Sequence, residues 1–350
     1  MFYRVLGLMS GTSLDGLDLA YCYFDIDGDK CKYDIICADT IAYSPQMKDF
    51  IIACEHCDAQ GLSYADYRLG EYFGTKAREF IEVNKLEVDF IASHGQTIFH
   101  QPSKGFTTQI GNISALASKA RHTVVGDFRA MDVALGGQGA PLVPIGDKLL
   151  FSSYANCLNL GGFSNISFDK DNERIAFDIC PTNMVLNYIA SMMGLPYDKD
   201  GEMARQGRVD ELFLNAFNSL PLYNSNERQS LGKEWVNENI FPLINNYPIE
   251  PKDLMATYLD HITTQLAKNI CGDTLLTGGG AKNKFLVESL RSKTTYNIII
   301  PDELTIDYKE ALIFAFLGVR RMRGEINCLK SVTKASQDSC SGVVAYWNRE

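Results

Sequence analysis

Gly7-Leu-Met-Ser-Gly-Thr-Ser-Leu-Asp-Gly-Leu-Asp18 sets a polar turn, Ser10 to Gly16, between two apolar runs that extend from Tyr3 to Met9 and from Leu17 to Ile26. Aliphatic and aromatic residues flanking a Gly/Ser/Asp turn predict strand, turn, strand. Asp25-Ile-Asp-Gly-Asp-Lys30 marks the next turn, and 32–43 reads as a third strand. The theme returns in Asn156-Cys-Leu-Asn-Leu-Gly-Gly-Phe-Ser-Asn-Ile-Ser-Phe168, where a Gly/Ser/Asn turn again separates strand-like runs and 174–178 follows. The two turns lie roughly 150 positions apart, far beyond the ~20–50 residues of a solenoid repeat, which predicts a duplicated domain.

Between these landmarks, 45–60 and 63–84 have helical spacing, and Val88-Asp-Phe-Ile-Ala-Ser93 is a short buried strand ending at His94. Gln109-Ile-Gly-Asn112 opens a helix of small residues through Lys119, and 124–129 reads as a strand entering a loop. In the second half, 181–194 reads as a helix, 196–201 as a loop and the Asn/Ser-rich stretch 221–235 as a surface excursion. A helix over 253–270 precedes a strand that strikes the triple glycine of Thr274-Leu-Leu-Thr-Gly-Gly-Gly-Ala-Lys-Asn283. A helix over 284–293, a short strand at 297–301 and an apolar helix over 308–323 complete the pattern. This alternation predicts an α/β protein of two domains, near 1–128 and 129–335, with 336–350 returning to pack on the first.

Composition narrows the function. The chain has 350 residues, 46% of them hydrophobic, which suffices for two cores. Its net charge of −10, without long blocks of one sign, argues against nucleic acid or an anionic membrane as partner. No apolar run approaches the ~18 residues of a membrane span, so a cytoplasmic location is expected. Cys54-Glu-His-Cys57 has metal-site spacing, but the sequence offers no second pair to close a tetrahedral site.

The turn at Ser10–Gly16 offers backbone N–H groups and hydroxyls with little bulk, the chemistry of a phosphate-wrapping loop. Asp15 and Asp18 are placed to hold Mg²⁺ through water, since that ion keeps most of its hydration. The loop is not a Walker A motif, because no Gly-Lys-Ser/Thr follows, and no GxGxxG opens a βαβ unit. Taken singly, this turn, Gly161-Gly-Phe-Ser-Asn165 and Gly278-Gly-Gly280 each fit ordinary turn chemistry as well. Taken together, paired hairpin loops that grip a polyphosphate and a glycine-rich corner that accepts a flat base match the sugar kinases, Hsp70 and actin.

More specifically, the 7–18 stretch, His94-Gly-Gln-Thr97, Gln109-Ile-Gly-Asn112, Val125-Gly-Asp-Phe-Arg129, Ala134-Leu-Gly-Gly-Gln-Gly-Ala-Pro-Leu-Val-Pro144 and Asn159-Leu-Gly-Gly-Phe-Ser-Asn165 follow one another in the order seen in anhydro-N-acetylmuramic acid kinases. The chain resembles that family over nearly its whole length. The resemblance implies two duplicated actin-like (ribonuclease H-like) domains with an interdomain active-site cleft, ATP and Mg²⁺ as cofactors, and a homodimer. It implies a kinase of peptidoglycan recycling that takes a small-molecule amino sugar, opens 1,6-anhydro-N-acetylmuramic acid with water and phosphorylates O6. A related sugar kinase with another substrate, or a non-catalytic ATP-binding sensor, are the alternatives.

On this resemblance Gly11, Thr12, Ser13, Leu14, Asp15, Gly16, Leu17 and Asp18 form the first ATP-binding stretch, and Gly161, Gly162, Ser164 and Asn165 the second. Gly278, Gly279, Gly280 and Asn283 form the adenosine corner. Asp178 matches the catalytic base that deprotonates the attacking water, and Glu310 orients it or a metal-bound water. Arg129 and Asp132 fall in the sugar pocket, the guanidinium suited to a lactyl carboxylate, with Gln96 and Gln138 as hydroxyl or acetamido partners. His94 lines the same cleft or is structural. Around the base this chain reads Asp178-Ile-Cys-Pro-Thr-Asn183 where the family carries Asp-Thr-Gly-Pro-Gly-Asn, so Ile179, Cys180 and Thr182 add side chains near the sugar pocket.

Overall fold

The computed structural model describes residues 1–28, 30–224 and 231–348. Asp29 of the Asp25–Lys30 turn, and 225–230 of the excursion read at 221–235, lie outside the described residues. The chain divides into two compact units, Met1–Leu150 with Tyr308–Glu350, and Phe151–Asp307.

In the first unit, β1 (Phe2–Ser10), β2 (Gly16–Asp27), β3 (Lys30–Ala42), β4 (Phe90–Ser93), β7 (Val124–Gly126) and β13 (Val343–Ala345) form one sheet in the order β13-β7-β4-β1-β2-β3. β1 and β2 are antiparallel with Ser10 opposite Leu17, β3 is antiparallel to β2, β4 lies parallel to β1, and β7 parallel to β4. The chain comes back through β13, whose Val343 sits opposite Gly126. Between β4 and β7 the strands β5 (Gln96–Gln101) and β6 (Phe106–Ile110) form a separate hairpin, so Gln109 and Ile110, expected to open a helix, end a strand and the helix begins at Ile113.

In the second unit, β8 (Asn156–Leu160), β9 (Phe163–Lys170), β10 (Glu173–Pro181), β11 (Thr274–Thr277) and β12 (Ile298–Ile299) run in the order β10-β9-β8-β11-β12. β8, β9 and β10 are antiparallel in succession, while β11 lies parallel to β8 and β12 parallel to β11. Apart from β13, which has no counterpart, strand order and direction therefore repeat those of the first sheet, which makes both units actin-like, ribonuclease H-like α/β layers. No helix among the described residues is long and apolar enough to cross a membrane.

The division falls later in the chain than the expected boundary at 128, because the helix Val143–Leu150 belongs to the first core. Its Asp147 pairs with Lys309 at 2.7 Å with both side chains buried, and its Gly146 lies against Ile313. Residues 308–335 join the first unit for the same reason. The helix Glu303–Met322 leaves helical geometry at Tyr308 (φ −116°, ψ 15°) and then lies on the first sheet. The contact is so close that a Cβ on Gly7 would stand 2.1 Å from the Ala311 carbonyl oxygen, so no other residue fits there. Leu6, Leu8, Leu19, Phe73 and Leu116 fill the first core. Phe213, Phe217, Tyr258 and Leu266 are among those filling the second, around the helix Pro251–Asn269.

Candidate active site

The hairpin between β1 and β2 turns through Gly11–Asp15, with Thr12, Ser13 and Asp15 exposed. The Leu14 N–H donates to the Gly11 carbonyl at 3.2 Å, and Leu14 takes a left-handed φ of 56°, a conformation that costs a branched-chain residue energy. Leu17, grouped with this loop in the sequence, is instead fully buried in the first core because it sits in β2 facing inward. Asp18 is half-buried and accepts a hydrogen bond from the Thr40 hydroxyl of β3 at 2.7 Å.

A second cluster surrounds Arg129. Its Nε donates to His94 Nε2 at 3.0 Å and its Nη1 to the Gly139 carbonyl at 2.6 Å, while the guanidinium lies 5.9 Å from the Phe314 ring centre. His94 is buried, and its Nδ1 donates to the carbonyls of Gly95 (2.9 Å) and Ser10 (3.3 Å). These bonds fix the neutral tautomer with Nε2 as acceptor. Burial, helped by the charge of Arg129, pulls the imidazole down to about 3, so it stays neutral at physiological pH. Burial likewise draws Arg129 down to about 10, opposed by the charge of Glu310, and the guanidinium remains a cation. Glu310 keeps an accessible surface. Its carboxyl is raised by the protein packed around it, against the pull of Arg129 and reinforced by Asp18. Glu310 therefore senses the charges of both Arg129 and Asp18 within the first unit.

The other expected sugar-pocket residues divide. Gln96 is buried and accepts from the Ser10 hydroxyl. Gln138 is exposed, and its N–H holds the Thr333 carbonyl at 2.7 Å. Asp132, 1% exposed, is fully engaged. One carboxylate oxygen accepts from the Gly139 N–H at 2.7 Å, the other from the Thr333 hydroxyl at 2.7 Å and the Cys328 thiol at 3.0 Å. It shapes the glycine-rich loop rather than facing open space. The β5–β6 hairpin brings His100 within reach of the Arg129 charge, and burial together with that charge lowers the imidazole; His100 Nδ1 lies 3.1 Å from the Thr107 hydroxyl. Gln109 Nε2 donates to the Thr107 and Thr97 hydroxyls, at 2.8 and 3.2 Å. The turn Pro102-Ser-Lys-Gly105, between two short runs with β-branched and aromatic residues, is the sequence signal that could have revealed this hairpin.

In the second unit one register row crosses four strands, with Asp178 (β10) opposite Asn165 (β9), Asn165 opposite Asn159 (β8), and Asn159 beside Thr277 (β11). Directly opposed residues share a sheet face. The row lies at the carboxyl ends of β8 and β11, where open α/β sheets place their ligands. A bulge at Ile179, where the register shifts, re-aims the strand just after Asp178. Asp178 is half-buried, and its Oδ2 accepts from the Leu231 N–H at 2.8 Å. Partial burial raises its carboxyl above the ordinary range, and the Leu231 bond only partly offsets this.

The second phosphate loop narrows to Gly161 and Gly162, since β9 already begins at Phe163. The loop is pinned by the start of the helix Asn183–Ser191. The N–H groups of Thr182 and Asn183 donate to the carbonyls of Gly162 (2.8 Å) and Gly161 (3.2 Å), and the Asn183 amide donates to the Leu160 carbonyl at 3.0 Å. Ser164, expected at the nucleotide, is fully buried because its position in β9 faces inward, and its hydroxyl bonds the Cys180 carbonyl at 3.0 Å. At the triple glycine, Gly278 takes φ 82°, and a Cβ there would stand 2.7 Å from Asn159 Oδ1, so only glycine lets the corner approach the row. Gly279 is exposed and Gly280 packs on Leu160. Asn283 caps the helix Lys284–Lys293, its side chain accepting from the Leu286 N–H at 3.0 Å, so its role lies in holding that helix.

Among the described residues no group of three or more His, Cys, Asp or Glu side chains could hold a metal ion by itself. Magnesium bound with phosphates needs only one or two carboxylates through water, and the exposed Asp15 with the half-buried Asp18 fit that requirement.

The family model for anhydro-N-acetylmuramic acid kinase matches residues 3–347. The anhydro-N-acetylmuramic acid kinase of Aliivibrio fischeri is 33% identical over 365 residues, covering 97% of this chain and 98% of that protein. The Haemophilus influenzae enzyme of the same name is 33% identical over 97% of each chain, and that of Sulfurimonas denitrificans 31% over 97% of this chain and 98% of its own. The repeated sheets, the glycine loops at their strand ends and a match that runs almost end to end agree: this chain belongs to the anhydro-N-acetylmuramic acid kinase family.

Proposed function

We propose that this protein uses ATP and water to convert 1,6-anhydro-N-acetylmuramic acid to N-acetylmuramic acid 6-phosphate in the recycling of cell-wall sugar. The observation that carries the reading is Asp178, a half-buried carboxylate with a raised pKa at the strand ends beside the Gly161–Gly162 and Gly278–Gly280 loops. A carboxylate raised above its usual range is a stronger base, when ionised, than an exposed one. Asp178 takes a proton from water as the water oxygen bonds to C1. The C1–O6 bond breaks, O6 bonds to the γ-phosphorus, and ADP leaves. The Leu231 N–H occupies one oxygen of Asp178 and leaves the other for the water.

The backbone of Gly11–Asp15 and of Gly161–Gly162 binds the triphosphate, and the Gly278–Gly280 corner takes the adenosine. Asp15 and Asp18 would hold a hydrated Mg²⁺, which when bound would neutralise phosphate charge. Arg129 binds the lactyl carboxylate, its guanidinium oriented by His94 and Gly139, and Glu310 is the acid facing it. The family resemblance and the use of ATP support a cytoplasmic homodimer.

The departures at Ile179, Cys180 and Thr182 leave this substrate in place. Their side chains are at most 5% exposed, turned into the second core, and Thr182 sits at φ −122°, which needs no glycine. The test is mass analysis of products from ATP and a panel of anhydro and ordinary amino sugars. The expected result is one phosphoryl group (HPO₃) and one water added to the anhydro-muramic sugar. Phosphorylation only of a non-anhydro sugar, or ATP binding without transfer, would contradict the reading.

A further inference from the structure

Ser10 ends β1 one residue before the Gly11–Asp15 loop and is 1% exposed. Its hydroxyl donates to Gln96 Oε1 and lies 2.6 Å from the Tyr43 hydroxyl. A serine hydroxyl has one proton, so with that proton spent on Gln96 the Tyr43 hydroxyl is the donor in the second bond. The Ser10 carbonyl accepts from His94 Nδ1 at 3.3 Å, and His94 Nε2 accepts from Arg129 Nε at 3.0 Å. Two chains of hydrogen bonds thus leave this one residue, a side-chain branch ending at Gln96 and a main-chain branch ending at Arg129.

We propose that Ser10 is a positioning residue that couples nucleotide binding to sugar binding. Movement of the loop as it closes on phosphate is carried through the Ser10 hydroxyl to Gln96, and through the Ser10 carbonyl and neutral His94 to Arg129. The proposal rests on the reading above, in which Gly11–Asp15 binds phosphate while Gln96 and Arg129 bind sugar. A merely structural Ser10 would lower stability or overall affinity, but it would leave the mutual effect of the two ligands intact, because coupling is a difference between affinities.

The test is calorimetric titration of the full chain with anhydro-N-acetylmuramic acid, with and without saturating AMPPNP. In the wild type the analogue is expected to tighten sugar binding about fivefold or more, in the range typical of coupled sites. In Ser10→Ala, which cuts the hydroxyl branch and keeps the carbonyl one, that factor falls by about twofold or more, while AMPPNP affinity without sugar stays within about twofold of wild type. His94→Gln, whose amide can both donate to the carbonyls and accept from Arg129, retains the coupling; His94→Leu lowers it by cutting the main-chain branch, and Ser10→Ala with His94→Leu, which cuts both branches, abolishes it. An unchanged factor in Ser10→Ala and His94→Leu, in a wild type that binds and phosphorylates the sugar, overturns this proposal alone. A wild type that binds AMPPNP but neither binds nor phosphorylates the sugar overturns the functional reading with it.

Discussion

In the first unit the hairpin between β1 and β2 turns through the exposed loop Gly11–Asp15, whereas the equivalent hairpin between β8 and β9 turns through Gly161 and Gly162 alone. The strands behind them correspond in order and direction, yet the polar residues at their ends do not. On the second strand of each unit, Asp18 bonds Thr40, and its counterpart row places Asn165 opposite Asp178. Asp18 and Glu310 share their surroundings with the cations Arg129 and Lys309. Among the described residues, Asp178 is acted on by partial burial and by the Leu231 N–H. The scaffold repeats while the charge at its strand ends differs: acids beside cations in the first unit, and in the second an acid raised by burial.

That contrast can be broken at its strongest point first. Asp178→Asn keeps the shape and removes the base, so turnover is expected to fall by about 10²–10⁴-fold with ATP affinity within about twofold, measured by coupled assay and calorimetry. Near-normal turnover would take the base away from the second unit. Arg129→Ala removes charge-assisted hydrogen bonds worth roughly 1.5–3 kcal/mol, so KM for the muramic sugar is expected to rise by about 10–100-fold. An anhydro sugar lacking the lactyl carboxylate provides the control, and an equal loss on both sugars would mean that Arg129 does not read the carboxylate. The smallest effect is on pH. Because burial raises Asp178, and the base must be ionised to act, kcat/KM is expected to fall with acidification at a pH above the ordinary carboxylate value of about 4. The limb is absent in Asp178→Asn, and a limb at or below that value would place Asp178 in an unperturbed setting.

Much of the scaffold was legible because the apolar runs around Ser10–Gly16 and Gly161–Gly162, and the strand before the triple glycine, have one plausible geometry each. The β5–β6 hairpin escaped because its strands are short and largely half-buried, so alternation there is weak. The domain boundary was misplaced because the helix Val143–Leu150 owes its membership to Lys309 and Ile313, partners far along the chain. The site shows the same division. Asp178, Arg129 and Gly278 stand out in their motifs, but the motifs also contain Leu17, Ser164 and Asn283, which serve the core or a helix cap, and spacing does not separate the two kinds. His94 as acceptor from Arg129, Leu231 as partner of Asp178 and Ser10 as a junction depend on contacts between distant segments, which no local pattern records.

The measurement that bears most directly on the two-part chemistry is turnover of anhydro-N-acetylmuramic acid and ATP in ¹⁸O-labelled water. The account predicts label at C1 of the sugar phosphate and none in its phosphoryl group. Label confined to released inorganic phosphate would mean plain ATP hydrolysis and would contradict it.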